Sequence, residues 1–392
     1  MNLHTKAVHA GDRKRPGPAV PVTTPVYTAA SYRYETAAEL DRVLGREEAG
    51  PSYARYDNPT NNALEELVAG LEGGHGALAC ASGMAALQIA IATALEGRPK
   101  RVLAALAVYG ATIILLERVF RPMGVEVEWV DVYDLDGLAR ELESRPAGCV
   151  VMETISNPLL RVGALDRIAQ MAAAAGAALV VDNTFATPLM VRPIELGAPL
   201  VVHSLTKYLA GHGDVLGGIV ASDEAHYGTL RALARASGPL LGPFESYLAM
   251  RGIKTFPLRM ERQCANAVLV AARLRGNPAV ERVYFPNDPA HPDAATIRRL
   301  FPAGLFGAIV SFELKNADRA AVLGFMDRLK LVVPATSLGD VHSMLLYPMM
   351  ASHRDIAPGQ RERMGIRENL VRLSVGIESP GDIIADLEQA LG

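Results

Sequence analysis

The chain has 392 residues, half of them apolar, and a formal net charge of −3 with three cysteines. A chain of that length exceeds what one core fills, so two domains are expected, and the balance of charge lacks the basic excess that nucleic-acid backbones require. The cysteines, Cys80, Cys149 and Cys264, are odd in number and lie in apolar surroundings, which reads as reduced thiols of a cytoplasmic protein and excludes a disulfide framework.

The N-terminus carries His4, Lys6, Arg13, Lys14 and Arg15 and no apolar run, so no secretory signal is expected. Residues 1–60 are rich in proline and tyrosine, with Pro16, Pro18, Pro21, Pro25 and the run from Ser52 to Pro59. Most of that segment lacks a helical or strand period and reads as an extended arm that another surface must order. From Asn62 the pattern is helical: Glu65 three residues on suggests a capping box, Leu64, Leu67, Val68 and Leu71 share a face, and Gly73-Gly74 ends the element. The uncharged stretch 78–95 has the length of a membrane span, but alanines broken by Ser82-Gly83 and Gln88 fit a buried strand turning into a helix, and no membrane association is expected.

Apolar runs at 101–107, 125–130, 148–152, 177–181 and 200–203 read as buried strands, and 110–121, 136–144 and 166–176 as helices between them. Such alternation predicts a mostly parallel sheet covered on both faces. Past Arg251 the rhythm changes to a helix at 254–274, shorter strands at 308–313, 332–334 and 370–375, and a final helix at 381–391. The expected organisation is an arm over 1–60, a larger α/β domain over 61–250 and a smaller α+β domain over 251–392.

Open parallel sheets bind ligands beyond the carboxyl ends of their strands. Three apolar runs end in polar residues: one at Asp182-Asn183-Thr184, one at His203-Ser204-Leu205-Thr206-Lys207, and one at Glu153. A lysine flanked by Ser204, Thr206 and Tyr208 past a buried strand suits a Schiff base with pyridoxal phosphate, the hydroxyls facing the phosphate; lysines at such positions are also ordinary loop residues. Asp182 suits a carboxylate facing a pyridine nitrogen, and equally an N-cap or turn aspartate. Small residues at Ser82-Gly83-Met84 open a helix whose N-terminus favours phosphate, or simply allow close packing. Tyr109 follows another apolar run, where its phenol can lie over a planar group or act as acid or base, although a core tyrosine is the commoner outcome. His203, His212 and Asp214 have no zinc spacing, so no metal is expected.

These residues and their order resemble the cystathionine and methionine γ-lyase family of pyridoxal-phosphate (PLP) enzymes. The resemblance runs through 180–188, 192–198 and 201–214, with Tyr53-Ala54-Arg55, Asn58-Pro59-Thr60, Ser82-Gly83-Met84, Arg251-Gly252-Ile253-Lys254-Thr255, Ser337-Leu338-Gly339 and the segment 372–378. It implies the aspartate-aminotransferase type of fold (fold type I), with a mostly parallel seven-stranded sheet in a PLP-binding domain and a smaller α+β C-terminal domain. It also implies a cytoplasmic homotetramer, a dimer of dimers whose active sites are shared. Lys207 is then the Schiff-base lysine and proton carrier, Asp182 the partner of the pyridine nitrogen, and Tyr109 the ring-stacking residue that assists the leaving group. Gly83, Met84, Ser204 and Thr206 hold the phosphate, joined by Tyr53 and Arg55 of the neighbouring subunit. Arg372 binds the substrate α-carboxylate, a task suited to a planar fork, with Ser337 and Asn157 beside it.

Relatives that handle cystathionine or acylated homoserines commonly have an arginine where this chain has Ile114, and a glutamate where it has His342. Both changes favour a short apolar thioether, as does His212-Gly213-Asp214. Methionine γ-lyases, however, typically carry a cysteine where this chain has Ala111, and a lysine-aspartate pair where it has Ala234-Arg235. The expected reaction is γ-elimination from L-methionine to methanethiol, 2-oxobutanoate and ammonia, with cystathionine lysis or synthesis and acyl-homoserine sulfhydrylation as alternatives.

Overall fold

The computed structural model of the chain describes residues 1–12, 19–351, 354 and 358–392. Arg13, Lys14, Arg15, Pro16 and Pro18 lie outside the described residues. Strands are β1 Gly76–Cys80, β2 Arg101–Ala105, β3 Glu126–Val130, β4 Cys149–Glu153, β5 Ala178–Asp182, β6 Leu200–Ser204 and β7 Gly218–Ser222, then β8 Val280–Tyr284, β9 Ile309–Leu314, β10 Val333–Pro334, β11 Met344–Leu346 and β12 Leu370–Ser374. The first seven form one sheet in the order β1-β7-β6-β5-β4-β2-β3 and the last five a second, β10-β11-β12-β9-β8. A large mixed sheet with helices is thus joined by a smaller C-terminal unit with its own sheet, as the resemblance implies.

Strands β2, β4, β5 and β6 are buried along nearly their whole length, as the unbroken apolar runs require when helices cover both faces, whereas β3 at the sheet edge is only partly buried. The pairings among them are parallel; β7 alone runs against its neighbours, pairing antiparallel with both β1 and β6. The carboxyl ends of β1, β2, β4, β5 and β6 therefore open on one edge. Valine and alanine side chains of these strands alternate between two cores, one on each face. A third core fills the space behind the second sheet, around Phe285, Phe312, Phe325 and Tyr347.

The helix expected from Asn62 starts earlier, spanning Pro59–Glu72. Its cap is Asn58, whose side chain accepts from Thr60 and Asn61, with proline in the first turn where no N–H is needed. The Glu65 side chain, instead of capping, accepts from the Ala79 amide at 2.9 Å and pairs with Arg231 at 2.7 Å. Gly73 ends the helix in the left-handed conformation, φ 76°. The segment 110–121 is helical in three forms, α over Gly110–Leu115, π over Leu116–Phe120 and 3-10 over Arg121–Met123. The helix expected from residue 254 starts at Phe256, after a separate helix over Pro243–Ile253.

The described part of residues 1–60 contains two short helices, Leu3–His9 and Ala37–Leu44, the second opened by a capping box between Thr36 and Glu39. Part of this segment lies on its own chain: Asn58 donates to Tyr27 O at 2.8 Å, Thr60 donates to Pro25 O at 2.9 Å, and Asp12 pairs with Lys254 at 2.6 Å. Cys80, Cys149 and Cys264 are free and buried, and burial pushes each thiol up. No helix among the described residues is long and apolar enough to cross a membrane.

Candidate active site

The strand edge named above is the floor of a cavity of about 450 Å³. Its wall includes Gly83, Met84, Tyr109, Asn157, Asp182, Ser204, Thr206, Lys207 and Arg372, so nine of the residues singled out in the sequence converge. Ser337 joins them by accepting a hydrogen bond from Lys207 Nζ at 2.9 Å.

Lys207 stands in the turn after β6. Arg259, buried on the helix Phe256–Arg275, fixes that turn by donating to the carbonyls of Tyr208, Leu209 and Ala210 and to that of Gly252. One turn further along the same helix, Gln263 donates to Asp340 O at 2.7 Å and so holds the loop that carries Ser337. Burial, aided by the positive charge of Arg372, brings the Lys207 ammonium down to about 8. It has no carboxylate partner among the described residues. A lysine so placed is a nucleophilic amine close to neutral pH.

Asp182 ends β5. Its Oδ1 accepts from the Thr184 amide at 3.0 Å and the Thr184 hydroxyl at 2.5 Å, and that hydroxyl accepts in turn from the Ser204 amide at 3.0 Å. Burial raises its pKa, opposed by the Thr184 bonds and by His203. A carboxyl in that setting is completed by a proton-bearing ring nitrogen. At the end of β1, Ser82 caps the helix Gly83–Leu95 by accepting from Ala85 N at 3.1 Å, which leaves the amides of Gly83 and Met84 ahead of the internal hydrogen bonds. An added Cβ on Gly83 would come within 3.0 Å of the Ser204 Cβ, so only glycine lets helix and strand approach this closely. Thr206 Oγ1 accepts from Gly217 N at 3.1 Å and donates to Gly217 O at 3.3 Å. A helix N-terminus, two hydroxyls, a deprotonatable amine and a buried carboxyl in one cavity fit a phosphorylated pyridine aldehyde.

Arg372 descends from β12 and is 2% exposed. It donates to Asn157 Oδ1 at 3.0 Å and to Ser337 O at 3.3 Å, and its Nε is buried without a partner. Burial brings its pKa down to about 10. A buried guanidinium with no carboxylate partner among the described residues is an anion receptor.

Tyr53 and Arg55 are not on this wall. Arg55 lies over the Tyr56 ring, 4.7 Å from its centroid, and donates to Arg235 O. Ile114, Ala111 and His342 are also off it: Ile114 is exposed, and His342 is exposed with its ring 3.0 Å from Asp340. Their part in the specificity argument passes to Ile155, Phe185, Leu216, Leu338 and Leu346, which do line the cavity, along with Thr336. His203 pairs with buried Glu72 at 2.5 Å, and His212 contacts Ala210 O at 2.6 Å. Glu153, visible in the sequence only as a polar residue after an apolar run, is a full member of the wall. The signal that could have marked it is its register, directly across from Asp182 on the parallel neighbour.

A family model described as Cys/Met metabolism PLP-dependent enzyme matches residues 4–392. An L-methionine gamma-lyase of Fusobacterium nucleatum subsp. polymorphum is 39% identical over 392 residues, covering 99% of this chain and 98% of that protein. An O-succinylhomoserine sulfhydrylase of Pseudomonas aeruginosa is 37% identical over 99% of this chain and 94% of its own. Among solved structures, a putative O-acetylhomoserine (thiol)-lyase from Campylobacter jejuni, carrying N'-pyridoxyl-lysine-5'-monophosphate, superposes with a TM-score of 0.92 at 26% identity over 100% of both chains.

Proposed function

Given that the chain belongs to the Cys/Met metabolism PLP-dependent enzymes, we propose that it eliminates the γ-substituent of L-methionine, releasing methanethiol, 2-oxobutanoate and ammonia. Elimination or replacement at sulfur amino acids is the chemistry of its relatives as a group. The observation that carries the finer reading is the cavity wall: its charged residues are Glu153, Asp182, Lys207 and Arg372, and the rest of its breadth includes Ile155, Phe185, Leu216, Leu338 and Leu346. Among the described wall residues no cation is left over for a distal carboxylate, whereas a methylthio group is matched by aliphatic and aromatic carbon.

In this reading the Gly83 and Met84 amides with Ser204 and Thr206 would hold the cofactor's phosphate, Tyr109 would pack on its ring, and Asp182 would pair with its ring nitrogen. When bound, pyridoxal phosphate supplies the electron sink that makes the substrate α-carbon acidic. Lys207 carries protons, taking one from Cα and serving again at Cβ; a pKa of about 8 lets Nζ both accept and return a proton at neutral pH. Ser337, bonded to Nζ, orients it. Arg372, with Asn157 and Ser337 O fixing its plane, grips the α-carboxylate and leaves the thioether pointing at the apolar wall. The Tyr109 hydroxyl delivers a proton to the departing thiolate. We also propose that the working form is a cytoplasmic homotetramer in which Tyr53 and Arg55 complete the phosphate site of a neighbouring copy.

The relative named as a sulfhydrylase supports a second reading, replacement at an acylated homoserine. Oxo-acid release from L-methionine and L-cystathionine, and thioether formation from O-acylhomoserine with sulfide, measured on one preparation, separate the two. The highest kcat/KM is expected for methionine; a preference for cystathionine or for the replacement reaction overturns the proposal.

A further inference from the structure

Glu153 has no role in the scheme above, yet it touches both sides of the cavity. Its Oε1 accepts from the Tyr109 amide at 2.6 Å and its Oε2 from the Asn157 amide at 3.0 Å. Asn157 in turn receives Arg372 at 3.0 Å. We propose that Glu153 is a positioning residue that fastens the Tyr109 turn and the Asn157–Arg372 pair to a single carboxyl group, so that the ring-facing and carboxylate-facing walls are set together. The inference rests on the reading of Tyr109, Asn157 and Arg372 given above.

Three observations carry it. Tyr109 is the N-cap of the helix Gly110–Leu115 beyond β2, and Asn157 stands in the turn beyond β4; the Glu153 carboxyl accepts from the backbone amide of each. The carboxyl is 7% exposed, so each amide bond is made away from competing water and is costly to lose. Although Glu153 and Arg372 are close enough to influence each other electrostatically, they form no ion pair; the carboxyl oxygens go to backbone amides and Arg372 remains available to a ligand. Burial and the neighbouring charge of Asp182 push the Glu153 carboxyl well above the usual carboxylate range, which further spares Arg372 from neutralisation.

Glutamine at this position keeps the volume but replaces one acceptor by an NH2 group, so one of the two amides is left facing a donor. The test compares Glu153→Gln, Asn157→Ala, their double variant and Arg372→Ala. The measurements are kcat and KM for the better of L-methionine and L-cystathionine, the visible circular dichroism of the bound cofactor, and cofactor affinity by fluorescence titration of the apoenzyme. Melting temperature checks that each variant folds, and Glu153→Asp serves where Glu153→Gln does not. Expected for Glu153→Gln are a KM raised on the order of tenfold, as for loss of one buried hydrogen bond, and an altered cofactor dichroic band. Asn157→Ala should raise KM with the band unchanged, and the double variant should be less than additive. A folded Glu153→Gln with KM within twofold of the parent or an unaltered band overturns the inference, as does full additivity. If Arg372→Ala leaves KM unchanged, the site reading fails instead, independently of Glu153.

Discussion

A lysine ammonium, a guanidinium and two carboxyl groups share this cavity, and their protonation is set by burial before anything else. Below about 8 the Lys207 amine is protonated and cannot attack an aldehyde. Covalent uptake of pyridoxal phosphate by the apoenzyme should therefore speed up by about tenfold per pH unit up to that point and level off above it; stopped-flow absorbance would follow it. A midpoint near the ordinary lysine value would mean that burial does not act as described. Arg372→Lys keeps the charge and loses the fork, so one of the two carboxylate bonds is lost. KM for methionine should rise roughly ten- to hundredfold, as charge-assisted hydrogen bonds are worth about 1.5–3 kcal/mol. Lys207 and Asp182 can be singled out in the sequence because each follows a recognisable apolar run, and Arg372 only through the resemblance. Glu153 stands out only as a polar residue after an apolar run; its role is not legible, since its two bonds are to backbone amides and backbone partners have no side-chain signature.

Among the elements, the helix Gly83–Leu95 depends on a close approach to β7. A Cβ on Gly218 would stand 2.2 Å from Ser82 O, so Gly218→Ala must push the helix N-terminus away from the strand. Overpacking of this kind costs about 1–3 kcal/mol, and the displaced amides are the ones assigned to the phosphate. Melting temperature should fall, and cofactor affinity, read by fluorescence titration, should fall with it; unchanged affinity would argue that phosphate is held elsewhere. The buried parallel strands were readable as apolar runs. Strand β7 was missed because Gly218-Ile219-Val220-Ala221-Ser222 is short and follows a glycine-rich turn, and the helix Glu224–Ser237 because its apolar residues are few, with only Leu230 and Ala234 buried. The helix start at Pro59 was passed over for a capping-box pattern at Asn62, whose Glu65 is used by tertiary contacts instead.

For the whole molecule, the arm supplies the strongest test. Tyr53 and Arg55 are off the cavity wall of their own chain, so if they serve a neighbouring copy, a Lys207→Ala chain and an Arg55→Ala chain can repair one another. Co-expressed and assayed at limiting cofactor, the two variants should recover activity that neither has alone; no recovery would place each site within one chain. Sequence reading missed this geometry's inner half, the contacts of Asn58 and Thr60 with Tyr27 and Pro25, because extended segments carry no period. The helix Phe256–Arg275 has a mechanical consequence. Through Arg259 and Gln263 it holds both the turn that carries Lys207 and the loop that carries Ser337. Amine and hydroxyl are thus tied to one helix, whereas Tyr109 and Leu216, on the wall of the same cavity, face solvent.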